Sequence, residues 1–274
     1  MSNSIALVDW RLPVYGAEAV RFCAEHHVSA LQVDFGGPGH SPSLDKRTRQ
    51  DAILEACAEH KVHIIALAGN QLNDIGLGLR FDRYTSRKLQ NLIESILDTA
   101  NYLSVPLVFF PSFHRGAIRD IETLVRAAKM LRWACQEAKD RQLELGSEND
   151  LSVAWSVRLI EEVCATNFRF IFDCYNPIKA GHSAAKLLTK LEGCFASQVH
   201  IKDGFAGEDG KVALGSGDGN VKNILTALVQ TDWAKDYILE NDYRCSHPQA
   251  LHHDIQWISH YLTWQRTQSK SSIH

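Results

Sequence analysis

Long apolar runs are missing from this 274-residue sequence, and no stretch approaches the ~20 uncharged apolar residues of a membrane span. A basic leader is missing as well, because MSNSIALVDWRLP meets its first charge at Asp9 and that charge is negative. The expectation is a soluble, cytoplasmic protein with no membrane partner. Charge of one sign is scarce: 29 Lys plus Arg against 32 Asp plus Glu give a formal net charge of −3, which offers nothing in bulk to a nucleic-acid backbone. None of the seven cysteines, at 23, 57, 135, 164, 174, 194 and 245, has a CxxC neighbour. That spacing excludes a zinc-thiolate site and predicts reduced, mostly buried thiols. What is present is ordinary globular composition, 45% hydrophobic and 22% charged, which excludes wholesale disorder.

Short β-branched or aromatic runs alternate with longer stretches of helical period. Strands are expected at 5–8, 30–35, 62–67, 106–110, 142–148, 168–173, 196–201 and 236–240. Helices are expected near 17–26, 46–59, 86–102, 118–139, 154–165, 183–191, 221–230 and 248–263. Leu89, Leu92, Ile93, Ile96 and Leu97 repeat at i, i+3 and i+4, the stripe of a helix lying on a sheet. The strands are mostly continuous apolar runs, as when both faces are covered. Eight strand–helix repeats without a linker predict an α/β fold, a single-domain (β/α)8 TIM barrel over residues 1–267, with a flexible polar C-terminal tail at 268–274. A doubly wound open sheet is the alternative, but the loop after the first strand reads Asp9-Trp10-Arg11-Leu12-Pro13 and lacks GxGxxG.

In such a barrel the active site lies at the carboxyl ends of the strands. Four successive strands end in Glu148, Asp173, His200 and Glu240, about one β/α repeat apart. A lone acid there is most often a helix cap or a loop ion pair; four in succession point to one shared site. Three carboxylates and one imidazole form a hard O3N set for one divalent ion, Mn²⁺ first, with Mg²⁺, Co²⁺ or Zn²⁺ as alternatives. Lys202 shares the His200 side of its strand, within reach of a substrate oxygen or of a salt bridge to Asp203 or another barrel acid. Residues 204–219 include Gly207, Gly210, Gly215, Gly217 and Gly219. They read as a mobile lid or a source of backbone amides for a phosphate or hydroxyl group. The fourth strand's end brings His114 and Arg115 to the mouth as candidate substrate contacts, and Trp10 and Phe35 can wall it for a sugar ring.

Glu148-Asn149 after strand five, Asp173-Cys174-Tyr175-Asn176 after six and His200-Ile201-Lys202-Asp203 on seven form a pattern, completed by Gly215-Ser216-Gly217-Asp218 and a final Ile238-Leu239-Glu240. This pattern resembles the xylose-isomerase-like barrel superfamily of sugar and sugar-phosphate isomerases and epimerases. Length and strand order match over the whole chain, and the specific motifs run from Glu148 to Glu240. The resemblance implies that Glu148, Asp173, His200 and Glu240 bind the metal, with Glu148 and Glu240 also acting as the acid/base pair. Asn176, a candidate substrate contact, stands where the family often has His, and Asp-x-x-Asn also resembles the ketopentose-phosphate epimerase branch.

The chemistry needs such residues. Removing a proton next to a carbonyl requires stabilisation of the enediolate, which a divalent ion supplies. A carboxylate on each face can take the proton from one side and return it to the other. Return to the adjacent carbon gives isomerisation, and loss of a β-hydroxyl makes the alternative a lyase or dehydratase. The expected partner is a small carbohydrate or cyclitol, phosphorylated or not, and the family analogy implies a homo-oligomer, dimer or tetramer. Two other readings are an AP-endonuclease-type nuclease and a non-catalytic sugar-binding barrel. The first would need further histidines, but Ala68-Gly69-Asn70 follows strand three and no Asp-x-His follows strand seven; the second sits poorly with two glutamates at the mouth.

Overall fold

The apolar runs form a closed barrel of eight parallel strands, in which the last pairs with the first. The computed structural model describes residues 4–80, 82–245 and 248–271. The barrel strands are β1 (Ser4–Val8), β2 (Ala30–Asp34), β3 (His63–Ala68), β4 (Leu107–Pro111), β5 (Glu144–Glu148), β6 (Phe168–Asp173) and β7 (Phe195–Ile201). A small antiparallel hairpin, β8 (Gly204–Phe205) and β9 (Glu208–Asp209), precedes the closing strand β10 (Asp236–Leu239).

The connecting helices are α1 (Gly16–Glu25), α2 (Arg47–His60), α3 (Leu72–Ile75), α4 (Arg83–Tyr102), α5 (Ile121–Asp140) and α6 (Val153–Val163). They continue with α7 (Asn176–Lys179), α8 (Ala184–Lys190), α9 (Val221–Thr231) and α10 (Pro248–Ser271). Side-chain caps set several helix starts. The Asp82 carboxylate accepts from the Thr85 amide, so α4 begins at Arg83, and Asp120 does the same for Thr123, so α5 begins at Ile121 rather than at 118. The final helix runs past 263 and takes in 268–271 of the segment read as a flexible tail; residues 272–274 of that tail lie outside the described residues.

Strand alternation sorts the side chains. Leu7, Leu31, Val33, Leu67, Val108, Leu145, Val199 and Leu239 point outward and join the helix stripe of Leu89, Ile93, Ile96 and Leu97 in the main core. The barrel interior is filled from the other face by Ala66, Ala68, Leu107, Phe109, Ile171 and Ala196, and by Ala6, Val8, Ala30 and Ile238. Gly146 belongs to that inner face, where a Cβ would approach Phe109 Cβ to 2.8 Å and Ile171 Cδ1 to 3.0 Å. Two residues further along their strands, Gly146, Ile171, Gln198 and Ile238 are followed by Glu148, Asp173, His200 and Glu240. The inner face therefore ends at its mouth in those four side chains.

Register keeps the ends level. Asp173 pairs with His200, Pro111 pairs with Glu148, and the Glu240 amide donates to the Ile201 carbonyl at 2.9 Å although β10 itself stops at Leu239. All seven cysteines are free thiols, as their spacing predicts, but only Cys23, Cys135 and Cys174 are buried, fewer than expected.

Candidate active site

Glu148, Asp173, His200 and Glu240 each offer one ligand atom, and these four atoms lie within 4.8 Å of one another. They are only 4%, 3%, 0% and 5% exposed, so their charges have little water to lean on. His200 Nδ1 is 3.3 Å from Glu148 Oε1 and 3.6 Å from Glu240 Oε2. Its other nitrogen, Nε2, is 2.9 Å from Gln32 Oε1. Gln32 Nε2 donates to Gln198 Oε1 at 2.7 Å, and Gln198 Nε2 donates to the Ile65 carbonyl at 2.8 Å.

A carbonyl only accepts, so this chain fixes both amides and makes Nε2 of His200 the protonated nitrogen of the neutral ring. Nδ1 faces the carboxylates, buried and without an aligned hydrogen-bond partner, and offers them a proton when the ring is charged or a lone pair to a cation when it is neutral. Asp173 is similar. Its Oδ1 accepts from the amides of Tyr175 and Asn176 at 2.7 and 2.6 Å, starting α7, while its buried Oδ2 has no hydrogen-bond donor. Buried acceptors without aligned hydrogen-bond donors, converging from different strands, fit a cation. First-row divalent ions hold oxygen and nitrogen ligands at ~2.0–2.2 Å, which suits a donor set this compact.

The flanking residues tune the carboxylates. Trp10 Nε1 donates to Glu240 Oε1 at 3.0 Å, Lys202 Nζ donates to Glu240 Oε2 at 2.8 Å, and Asn176 Nδ2 donates to Glu148 Oε1 at 3.0 Å. Lys202 Nζ also lies 3.1 Å from Asp173 Oδ2, without hydrogen-bond alignment, and 3.7 Å from Asp209 Oδ2. The barrel acids it meets are thus Asp173 and Glu240, not its neighbour Asp203.

Burial opposes the Glu240 charge, but Lys202 and then His200 outweigh it and hold that carboxyl far below the usual range. Burial dominates at Asp173 despite Lys202, pushing it up to about 6, with Glu240 and Glu148 adding to the rise. Burial also disfavours the Lys202 ammonium, yet Asp173, Glu240 and Glu148 keep it firmly charged. At His200 the nearby Glu148 and Glu240 overcome burial and raise the imidazole above its ordinary value.

Glu148, Lys202 and Glu240 line a cavity of about 930 Å³, whereas Asp173 and His200 are buried beside them and do not line it. Trp10, Asn176, Lys202 and His114 all line it, His114 from a short 3₁₀ turn after β4. Arg115 is exposed and does not line this cavity, and Phe35 packs into the core between barrel and helices rather than walling the mouth.

The glycine-rich segment is neither a free lid nor an amide cradle. The amides of Gly204, Gly215, Gly217 and Gly219 all donate to the Asp203 carboxylate at 2.9–3.1 Å, so they are already spent. The turn is tight enough that a Cβ on Gly217 would overlap the Gly204 carbonyl oxygen.

Sequence reasoning missed Gln32 and Gln198, although a lone amide in an apolar strand is a visible signal. It also missed Arg11, Lys179 and Asp209, which meet at the cavity wall from the turn after β1, the end of α7 and β9 and carry no local pattern.

Residues 20–261 match the family model of the xylose isomerase-like TIM barrel. The chain is 38% identical, over 276 positions and 100% of both chains, to 2-epi-5-epi-valiolone 7-phosphate 2-epimerase of Actinoplanes sp.. Among solved structures it resembles a xylose isomerase domain protein from Planctomyces limnophilus, with TM-score 0.78 and 17% identity over 97% of this chain and 99% of that one. A D-tagatose 3-epimerase-like protein matches with TM-score 0.81 and 15% identity over 97% and 99%. At such identities these two likenesses speak for the fold alone.

Proposed function

Because the chain belongs to the xylose isomerase-like TIM barrel family, we propose that it is a divalent-metal-dependent epimerase of a phosphorylated keto-cyclitol or keto-sugar. The reaction inverts a carbon next to a carbonyl by removing its proton from one face and returning one to the other. The observation that supports this reading most is the meeting of Glu148, Asp173, His200 and Glu240, one ligand atom from each within 4.8 Å of the others, where Glu148 and Glu240 line the cavity. The substrate class follows the Actinoplanes relative, whose name makes it a 2-epimerase of a valiolone 7-phosphate.

The four residues would hold one ion, Mn²⁺ ahead of Mg²⁺, Co²⁺ or Zn²⁺. When bound, that ion supplies positive charge to the substrate's carbonyl and hydroxyl oxygens as negative charge develops there. The rest belongs to the protein. Glu148 ends β5 and Glu240 directly follows β10, two strands separated in the barrel by β6 and β7, so their carboxylates approach a bound ring from different sides. Glu240 stays ionised between the Trp10 indole and the Lys202 ammonium. Glu148 is held by Asn176 at Oε1, and its Oε2 accepts no hydrogen bond among the described residues. One carboxylate takes the proton while the C–H bonding pair moves toward the carbonyl oxygen; the other, carrying a proton, delivers it to the opposite face as that pair returns to carbon and the carbonyl re-forms. Lys202, Asn176, His114 and Trp10 orient the substrate's oxygens and ring.

In deuterated water, the Mn²⁺-loaded protein is expected to place deuterium beside the carbonyl of a keto-cyclitol phosphate and to yield two epimers with no loss of water. Glu148→Gln and Glu240→Gln, each at saturating Mn²⁺, should slow exchange by about 10²–10⁴-fold. Undiminished exchange in both variants would remove the acid/base assignment, and a dehydrated product would identify a lyase instead.

A further inference from the structure

The basic side chains around the cavity are not equivalent. Arg119 forms a bidentate pair with Asp150 at 2.8 Å on both arms, and Arg244 grips Asp242 at 2.8 and 2.6 Å. His40 is taken by Asp74 at 2.8 Å. Arg11 and Lys179 differ, because they share a single carboxylate. Lys179 Nζ lies 2.7 Å from Asp209 Oδ1, and Arg11 Nη2 lies 3.3 Å from Asp209 Oδ2. The buried Nε of Arg11 has no partner at all. Lys202 is 3.7 Å from the same carboxylate but is balanced by Asp173 and Glu240. Burial pushes the Asp209 carboxyl up, yet Lys202, Lys179 and Arg11 together keep it below the usual carboxylate range. One carboxylate thus bridges the two cations at the wall of the cavity, with Glu240 and Asp242 near enough to feel the Arg11 charge as well.

We infer that Arg11 and Lys179 form an anion subsite for the phosphate monoester of the substrate, and that Asp209 is the internal counter-ion which holds them when no phosphate is there. This rests on the proposed reaction for the substrate's identity, but the subsite itself rests on the charges. A phosphate dianion offers more charge and more acceptor oxygens than one carboxylate, so it competes for both cations.

Asp209 itself stays put, because its hairpin partner Gly204 is tied to Asp203 and the next amide, Gly210, donates to the Asp203 carbonyl at 2.7 Å. The moving part is Lys179, at the end of α7 and 47% exposed at its side chain. Lys202 lies between this subsite and Glu240, in contact with both Asp209 and Glu240, so a seated phosphate would sit on the Glu240 side of the ring. A substrate without phosphate leaves Asp209 in possession of both cations and gains nothing from them. The subsite thereby selects phosphorylated substrates.

The test titrates inorganic phosphate into the Mn²⁺-loaded protein by calorimetry, alongside the ratio of kcat/KM for a phosphorylated keto-cyclitol over its unphosphorylated analogue. Arg11→Met and Lys179→Met are each expected to weaken phosphate binding by about 10- to 100-fold and to reduce that ratio by a similar factor. Asp209→Asn should do the opposite and tighten phosphate several-fold, because a competitor is gone; a salt bridge with a purely structural role predicts no gain. The exposure of Lys179 keeps its variant informative even if Arg11→Met fails to fold.

Phosphate that binds only at the metal would be indifferent to all three substitutions, and that result overturns the subsite, as does a wild-type protein that takes up no phosphate. The two proposals fail separately. Metal-dependent deuterium exchange into the unphosphorylated ketone without phosphate binding would sink the subsite alone. Phosphate binding that responds to the three variants, in a protein that exchanges no proton, would sink the epimerase reading alone.

Discussion

The two nitrogens of His200 face different neighbours, and that difference sets what the ring can bind. Nε2 is committed to Gln32, Gln32 to Gln198, and Gln198 to a backbone carbonyl, so Nδ1 is left as the donor atom at the carboxylate cluster. Outer partners of this kind orient a metal-binding imidazole, and losing one typically weakens metal affinity by ~10–100-fold. Gln32→Leu should therefore bind Mn²⁺ about 10–100-fold more weakly by calorimetric titration while the barrel stays folded by circular dichroism; unchanged affinity would mean that the amide chain does not govern the ring. The four strand-end residues could be read from the chain because strand ends in a barrel share one rim. Gln32 was not read, since its role depends on facing inward opposite Gln198, which only the barrel's register reveals. Asp209 carries no local signal either, because a hairpin acid becomes meaningful only beside Arg11 and Lys179.

At the scale of elements, the segment from 204 to 219 shows how composition can point the wrong way. Five glycines outside a helix or strand suggest mobility, but the acceptor that organises them is the residue just before the segment. Asp203 is fully buried and satisfies four glycine amides, which turns a flexible sequence into a fixed loop that carries the β8–β9 hairpin and Asp209. Asp203→Ala strands those amides. At ~1–3 kcal/mol for a buried group left unpaired, with partial relaxation, the expected loss is on the order of 3–5 kcal/mol. Thermal melting should then fall by about 10 °C, and limited proteolysis should open a new cleavage region within 204–219. A melting point within roughly 2 °C of wild type, with no new cleavage, would contradict the fixed-loop account. Helix edges were misjudged for a related reason: Asp82 and Asp120 start their helices through side-chain caps, whereas the apolar stripe marks only where a helix touches the sheet.

At the scale of the whole molecule, the closed sheet was legible because eight repeats of apolar strand and amphipathic helix leave few other ways to bury both faces. Closure brings Glu148 and Glu240 together although the chain between them spans strands, helices and a hairpin. The barrel thus converts a sequence interval into a short distance, and the proposed chemistry depends on that conversion yielding a single cation site. The most direct test is a titration of metal-free protein with Mn²⁺ while proton–deuterium exchange is followed beside the carbonyl of a keto-cyclitol phosphate. Exchange should be absent without metal, should rise with added Mn²⁺ and level off at one equivalent per chain, and should not be restored at that stoichiometry in Asp173→Ala or His200→Ala. Exchange that proceeds equally well in the metal-free protein, or that is recovered by one equivalent in both variants, would contradict it.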